Sequence, residues 1–345
     1  MQLNLTIYKN LIMINSFSIK NFKQFKSLEV EGITPITIIG GKNNTGKTTF
    51  LEAIVLFYDV GNEEVTLRQL SFRGVNPMAV SPLGLWAPLF HAYDISKNIE
   101  LELKDDDISN KLTTRYSNAK ETLGFNYFIN GIPTKEYYLF IDGDKVGIEE
   151  VGVHIKYFFG SSKKVTFIFE DTINSKEQAR LFGEIDIEGK VDELIDSVHI
   201  IEPRLKSLSL IPHGDRTLIY GDIGIGRKIP LSFLGEGTVK LVSIIMAILT
   251  TQDGIVLIDE IENGIHYSLH AKLWELLYEM SNKYNCQLFI TTHSYEILEH
   301  LQESKIENPD QISYLRLDLE EDEIVPKIYS MEILLAALER YWEVR

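Results

Sequence analysis

The sequence predicts an α/β fold: a mixed central sheet, an antiparallel β subdomain and a short helical insert. Three observations predict it. A short apolar run, Ile36-Thr37-Ile38-Ile39, leads into glycines and then into the helically spaced segment Thr49–Tyr58. Alternating β-rich runs separated by turns fill residues 97–170. From residue 228 onward strands and helices alternate, as in a sheet built with crossover helices.

Taken in order, Ile14–Ile19 alternates as a strand does, and Phe22 and Phe25 flank a turn at Lys23-Gln24. After the first apolar strand, Phe50, Ile54 and Phe57 fall on one helical face. Gly74, Pro77, Pro82, Gly84 and Pro88 punctuate residues 60–95 as loops. In the β-rich region, Ile99–Leu103, Tyr137–Ile141 and Val165–Phe169 read as antiparallel strands. Ser175–Leu208 reads as mostly helical, too short and too poor in heptads for a long coiled coil. The closing third is expected to hold a helix over Thr238–Leu249, a strand over Ile255–Ile258 and a helix over Tyr267–Tyr284. A strand over Leu288–Thr291 and a last helix over Met331–Trp342 follow. The acidic run Asp318–Glu323 reads as a solvated turn. These elements divide into an N-terminal core segment (1–95), an insert lobe (96–225) and a C-terminal core segment (226–345).

Fifty acidic against 34 basic side chains give a formal net charge of −16 in 345 residues. Such a surface repels polyanions on average, so nucleic acid needs a local basic patch. This counts against a DNA-coating protein and leaves a DNA-sensing one open. One cysteine, Cys286, rules out an intrachain disulfide and fits a reducing compartment; its apolar surroundings read as a buried structural thiol. No run approaches the ~18 apolar residues of a membrane span, so a cytoplasmic protein without a membrane partner is expected.

The string Gly41-Lys42-Asn43-Asn44-Thr45-Gly46-Lys47-Thr48 matches GxxxxGK[ST] in full, with an apolar strand before it and a helix after it. That context lets backbone amides and a helix N-terminus face one anion, the phosphate loop of a nucleotide-binding fold. Lys47 is placed to reach the β- and γ-phosphates, Thr48 offers a hydroxyl to Mg2+, and Thr49 continues the cradle. The strand Ile255–Ile258 ends in Asp259-Glu260, at the carboxyl edge where open α/β sheets bind ligands. Asp259 suits a magnesium ligand and Glu260 a residue that activates the attacking water. His293 follows the next apolar strand and emerges at the same edge, suited to contact a γ-phosphate. Gly235-Glu236-Gly237, before the Thr238–Leu249 helix, offers a second anion-binding helix start. The phosphate loop already fills its own anion site, so a second subunit is the natural source of the phosphate there.

The order of these motifs resembles that of the ABC-type ATPases, and within them the SMC, RecF and OLD-like branch. Ile19–Phe25 followed by Ile39–Asn44 is similar to that branch's opening. Leu234-Gly235-Glu236-Gly237-Thr238 is similar to its shortened signature in place of LSGGQ, and Trp342–Arg345 is similar to tails of small OLD-like ATPases. The resemblance implies ATP and Mg2+ as cofactors and a head-to-tail ATP-sandwich homodimer, or a higher oligomer of such dimers. ATP on Lys47 of one copy would be closed over by Gly235–Gly237 of the other, with Glu260 as catalytic base and His293 as switch histidine. Two departures stand out: Gln69 is a weak match for the Q-loop glutamine, and no TOPRIM-like segment follows His293. Family members of this size are often the sensor or scaffold half of bacterial anti-phage systems, which implies a separate effector, a nuclease or toxin. Ser175–Leu208 is one docking surface for it.

Two other function classes remain. A RecF- or SMC-like ATPase would clamp DNA, and a transporter motor would need a membrane-coupling helix that the sequence does not show. The family-like opening starts at Met13, which leaves residues 1–12 as a short extension or a misassigned start, without functional meaning. Arg68 and Arg73 read as solvated loop cations, Trp86 and Phe90 as hydrophobic anchors. His91, His154 and His199 lack metal-ligand spacing.

Overall fold

The computed structural model describes residues 13–59, 81–105, 108–142, 145–151, 163–169, 175–214 and 216–344. Residues 1–12, Arg68, Gln69, Arg73 and His154 lie outside the described residues. The chain forms two compact units. One comprises Met1–Thr34, Lys42–Lys163 and Arg316–Ile328; the other comprises Pro35–Gly41, Lys164–Leu315 and Tyr329–Arg345.

The first unit is built on a seven-stranded antiparallel sheet. Its strands are β1 (Ser16–Phe22), β2 (Phe25–Glu31), β4 (Ile99–Asp105), β5 (Ile108–Ser117), β6 (Thr122–Ile129), β7 (Ile132–Asp142) and β8 (Lys145–Val151), in the order β2-β1-β4-β5-β6-β7-β8. Alternation drives it: Phe17 and Ile19 on β1, and Leu101 on β4, turn fully inward. Helix α1 (Lys47–Asp59) lies on this sheet. The Phe50 ring meets Phe17 edge-on at 5.4 Å, and Phe57 meets Tyr127 of β6 at 5.8 Å. Trp86, in the short helix α2 (Pro82–Trp86), and Phe90 are buried anchors as expected.

The second unit carries the parallel strands β3 (Ile36–Gly40), β14 (Gln287–Thr291), β13 (Ile255–Ile258) and β9 (Val165–Ile168). They belong to a six-stranded sheet ordered β16-β15-β3-β14-β13-β9, where β15 spans Ile312–Glu320 and β16 spans Glu323–Ser330. β3, β13 and β14 are buried along their whole length, as continuous apolar runs in a covered parallel sheet must be. Helices α3 (Ser175–Ile187) and α4 (Val191–Val198) pack on α5 (Glu236–Thr250). α5 is buried from Gly237 through Leu249 except at Val239, which explains its apolar character on all sides. A three-stranded sheet of β10 (Ser207–His213), β11 (Arg216–Asp222) and β12 (Ile229–Pro230) lies in the same unit. Helices α6 (His270–Tyr284), α7 (Tyr295–Glu299) and α8 (Met331–Glu339) complete it.

Several expectations are corrected. Val165–Ile168 is not part of the antiparallel region; it runs parallel to β13, with Ile168 opposite Ile258. Alternation signals a strand and says nothing of its partner. The stretch expected as helical to Leu208 breaks at Gly189, which has φ +71°, and Ser207 already begins β10. The acidic run Asp318–Glu323 is a solvated turn only at its centre, as expected for Glu321 and Asp322 in exposed left-handed backbone, whereas Asp318 and Glu320 belong to β15 and Glu323 to β16. The segment from Tyr267 opens with a 3-10 turn before α6, and the last helix stops at Glu339. Among the described residues no helix is long and apolar enough to cross a membrane.

Candidate nucleotide site

The phosphate loop leaves the sheet at Gly41. β3 lies beside β14, with Ile39 opposite Thr291, and β14 lies beside β13. The carboxyl ends of all three strands therefore share one edge. Within the first unit, Lys42–Thr49 turns into α1. The Thr45 hydroxyl donates to the Lys42 carbonyl (2.9 Å), and the Lys47 ammonium donates to the same oxygen (3.0 Å). Helical bonding begins with the Phe50 amide to the Gly46 carbonyl, so Lys47, Thr48 and Thr49 form the electropositive first turn. Gly46 has φ +96°, and a Cβ there would lie 2.5 Å from Gln24 Nε2 and 2.6 Å from the Phe25 ring. Both the backbone conformation and the packing demand glycine. Lys42, Asn43 and Asn44 are exposed.

In the second unit, β13 and β14 bring Asp259, Glu260 and His293 together. Asp259 is buried; its amide donates to Ile168 of β9 (2.9 Å), and its Oδ1 accepts the Thr291 hydroxyl proton (2.5 Å). The same Thr291 oxygen accepts the Glu260 amide (2.8 Å). Glu260 adopts φ +47°, uncommon for a residue with a side chain. Its carboxylate is half-buried, with Oε2 accepting from the Asn263 amide group (2.7 Å). His293 Nδ1 lies 3.6 Å from Glu260 Oε1 and 3.0 Å from Glu262 Oε1, and its backbone N–H donates to that Glu262 oxygen (2.8 Å). One exposed imidazole thus bridges two carboxylates at the end of β13. A buried carboxylate beside a tethered, accessible one suits cation binding plus activation of water.

Four residues at this edge escape sequence reasoning: Lys240, Thr291, Glu262 and Asn263. Lys240 had a visible signal, as the one basic residue in the apolar run of α5; Glu262 sits two positions after Glu260, across the buried Ile261. Gly235, with φ +99°, and Glu236 are exposed at the start of α5. Gly237 differs: it is buried, and a Cβ there would lie 2.2 Å from the Gly264 carbonyl oxygen. Its lack of a side chain serves a close approach within its own chain. Cys286 is buried, its thiol donates to the Thr251 carbonyl (2.7 Å), and burial pushes its pKa up to about 12. His91 and His199 each bond a backbone carbonyl, of Lys23 and Leu205. Among the described residues no three ligand-type side chains gather around a possible metal position.

A family model described as an AAA ATPase domain matches residues 13–190, half of the chain. The chain belongs to the AAA ATPase domain family. A second model, described as "AAA domain, putative AbiEii toxin, Type IV TA system", matches residues 150–299. An ATP/GTP phosphatase of Helicobacter pylori is 26% identical over 96% of this chain and 98% of its own length. A RecF DNA replication and repair protein of Rickettsia bellii is 33% identical over 116 residues, 32% of this chain and 28% of RecF. Among solved structures, an Smc head bound to the C-terminal winged-helix domain of ScpA superposes with TM-score 0.59 at 13% identity. It covers 94% of this chain and 99% of the head. The Smc head of Pyrococcus furiosus gives TM-score 0.56 at 12% identity over 95% and 99%. The AAA ATPase chain thus has the fold of an SMC head.

Proposed function

We propose that this chain hydrolyses ATP between two copies of itself and uses the cycle to hold or release a separate effector, a nuclease or toxin, in anti-phage defence. Backbone amides from Gly41 through Thr49 and the Lys47 ammonium would hold the phosphates. Thr48 and Asp259 would hold Mg2+, which when bound neutralises phosphate charge. Glu260 accepts the proton of the attacking water, and His293 senses the γ-phosphate. Exposed Gly235 and Glu236, with Gly237 behind them, cover the nucleotide of the other copy.

The observation that carries the reading is Glu260 itself. It stands in left-handed backbone beside a buried Asp259, with its amide, one carboxylate oxygen and a neighbouring histidine all fixed. The whole-length similarity to an ATP/GTP phosphatase supports nucleotide hydrolysis, and the AbiEii-like match supports a toxin-linked role. Removing a general base costs roughly 10²–10⁴ in rate. Glu260→Gln should therefore lower kcat by at least about 100-fold while ATP still binds. Turnover persisting at the wild-type rate would remove Glu260 from this role. Mass and stoichiometry of the complex recovered from cells would identify the effector.

A DNA-clamping ATPase is the second reading, favoured by the similarity to RecF and the SMC-head fold. It expects retention of duplex DNA in a gel shift that strengthens with ATP and weakens with salt.

A further inference from the structure

Lys240 lies in the second turn of α5 and is only 7% exposed, in a helix whose neighbouring side chains are apolar. Burying an ammonium is costly unless its protons are used. Here Nζ donates to the Asp259 carbonyl (2.8 Å) and the Glu260 carbonyl (3.1 Å), two consecutive oxygens where β13 ends. The residue between these two carbonyl groups is Glu260, with φ +47°. A side-chain-bearing residue stays in that region only when its surroundings over-determine it. The Thr291 hydroxyl holds the Glu260 amide from one side, and Lys240 holds its carbonyl from the other.

A second tie joins the same two segments. Gly237, one turn before Lys240, approaches Gly264 so closely that neither position has room for a Cβ: one at Gly264 would lie 2.9 Å from the Gly237 nitrogen. The start of α5 and the turn Glu260–Gly264 are therefore joined at one polar and one steric point. Ser232, Phe233, Gly235 and Glu236, just before this junction, are exposed, Phe233 at 77%.

We propose that Lys240 is a positioning residue that fixes the Glu260 backbone to the start of α5, so that a second copy engaging Gly235 and Glu236 aligns the catalytic carboxylate of the same chain. This rests on the reading of Glu260 as the base. Lys240 acts through the Glu260 backbone: its bonds to the two carbonyls set where the Glu260 carboxylate stands.

The test is steady-state ATPase kinetics on the full chain, with binding of a non-hydrolysable ATP analogue measured in parallel. Misplacing a reacting group by an ångström costs up to about 100-fold. K240M should lower kcat roughly 10- to 100-fold while KM and analogue affinity stay near wild type. K240R, which keeps donors at that depth, should recover most of the rate. If K240M is insoluble, K240Q replaces it and should show the same split, less severely. An active wild type beside an equally active folded variant overturns the role of Lys240 alone. Affinity and kcat falling together, without rescue by K240R, overturns it too by showing a merely structural residue. Wild-type turnover no greater than that of E260Q overturns the reading of Glu260 itself.

Discussion

Thr291 shows how much one hydroxyl can hold. It donates to the Asp259 carboxylate and accepts from the Glu260 amide, so it serves two adjacent acids with one oxygen. Thr291→Val keeps the shape and removes both bonds, leaving a buried carboxylate and an amide short of a partner. A buried polar group that loses a partner costs about 1–3 kcal/mol, and loss of a partner behind a metal ligand costs roughly 10- to 100-fold in metal affinity. The variant should unfold at lower urea and need more Mg2+ for half-maximal ATPase activity. An unchanged Mg2+ requirement would show that Asp259 does not depend on Thr291 for its orientation. In the sequence Thr291 is simply the last residue of an apolar strand; its value appears only once β13 and β14 are paired.

At the scale of elements, the opening hairpin and the phosphate-loop helix are joined by a buried ion pair, Lys23 Nζ to Glu52 Oε2 at 2.7 Å, with Glu52 only 1% exposed. Removing one partner of such a pair takes away compensation from a buried charge, at a cost of about 3–5 kcal/mol. Lys23→Met should therefore destabilise the chain by about that amount in urea unfolding, and the double variant K23M/E52Q should recover part of the loss. A double variant as unstable as the single one would locate the cost elsewhere. The Lys23 ion pair also shows what was legible and what was not. The phosphate loop, β13 and β14 could be read because an apolar run ending in glycine, in acids or, for β14, in Thr292-His293 states both strand and candidate function. Neither strand of the β15–β16 hairpin was read: Arg316, Asp318 and Glu320 interrupt the apolar residues of β15, and Pro326 and Lys327 those of β16. β9 was recognised as a strand but not assigned to β13, because pairing is a long-range property that alternation does not encode. Lys240 stood out as the lone base of α5, but its role and that of Glu262 were illegible for the same reason: each acts on a distant segment through a backbone or imidazole contact that spacing along the chain does not reveal.

For the whole molecule, the excess of acidic side chains sets a sign that separates the two functional readings. Two copies at a formal −16 each repel one another at long range. Salt shortens that repulsion, from a Debye length of about 10 Å at 0.1 M to about 3 Å at 1 M. Closure over ATP through glycine amides and phosphate is a short-range contact, screened less. The dimer of the Glu260→Gln variant, formed with ATP and Mg2+, should therefore grow in proportion as NaCl rises from about 50 to 500 mM, read by light scattering on a sizing column. DNA binding runs the other way, since each phosphate neutralised releases counterions and lowers affinity with salt. Dimer mass and DNA retention measured in the same salt series should move in opposite directions if the ATP-closed dimer forms independently of DNA. If both fall together, the assembly is held by complementary charge or by the DNA itself, and the clamp reading displaces the effector-switch reading.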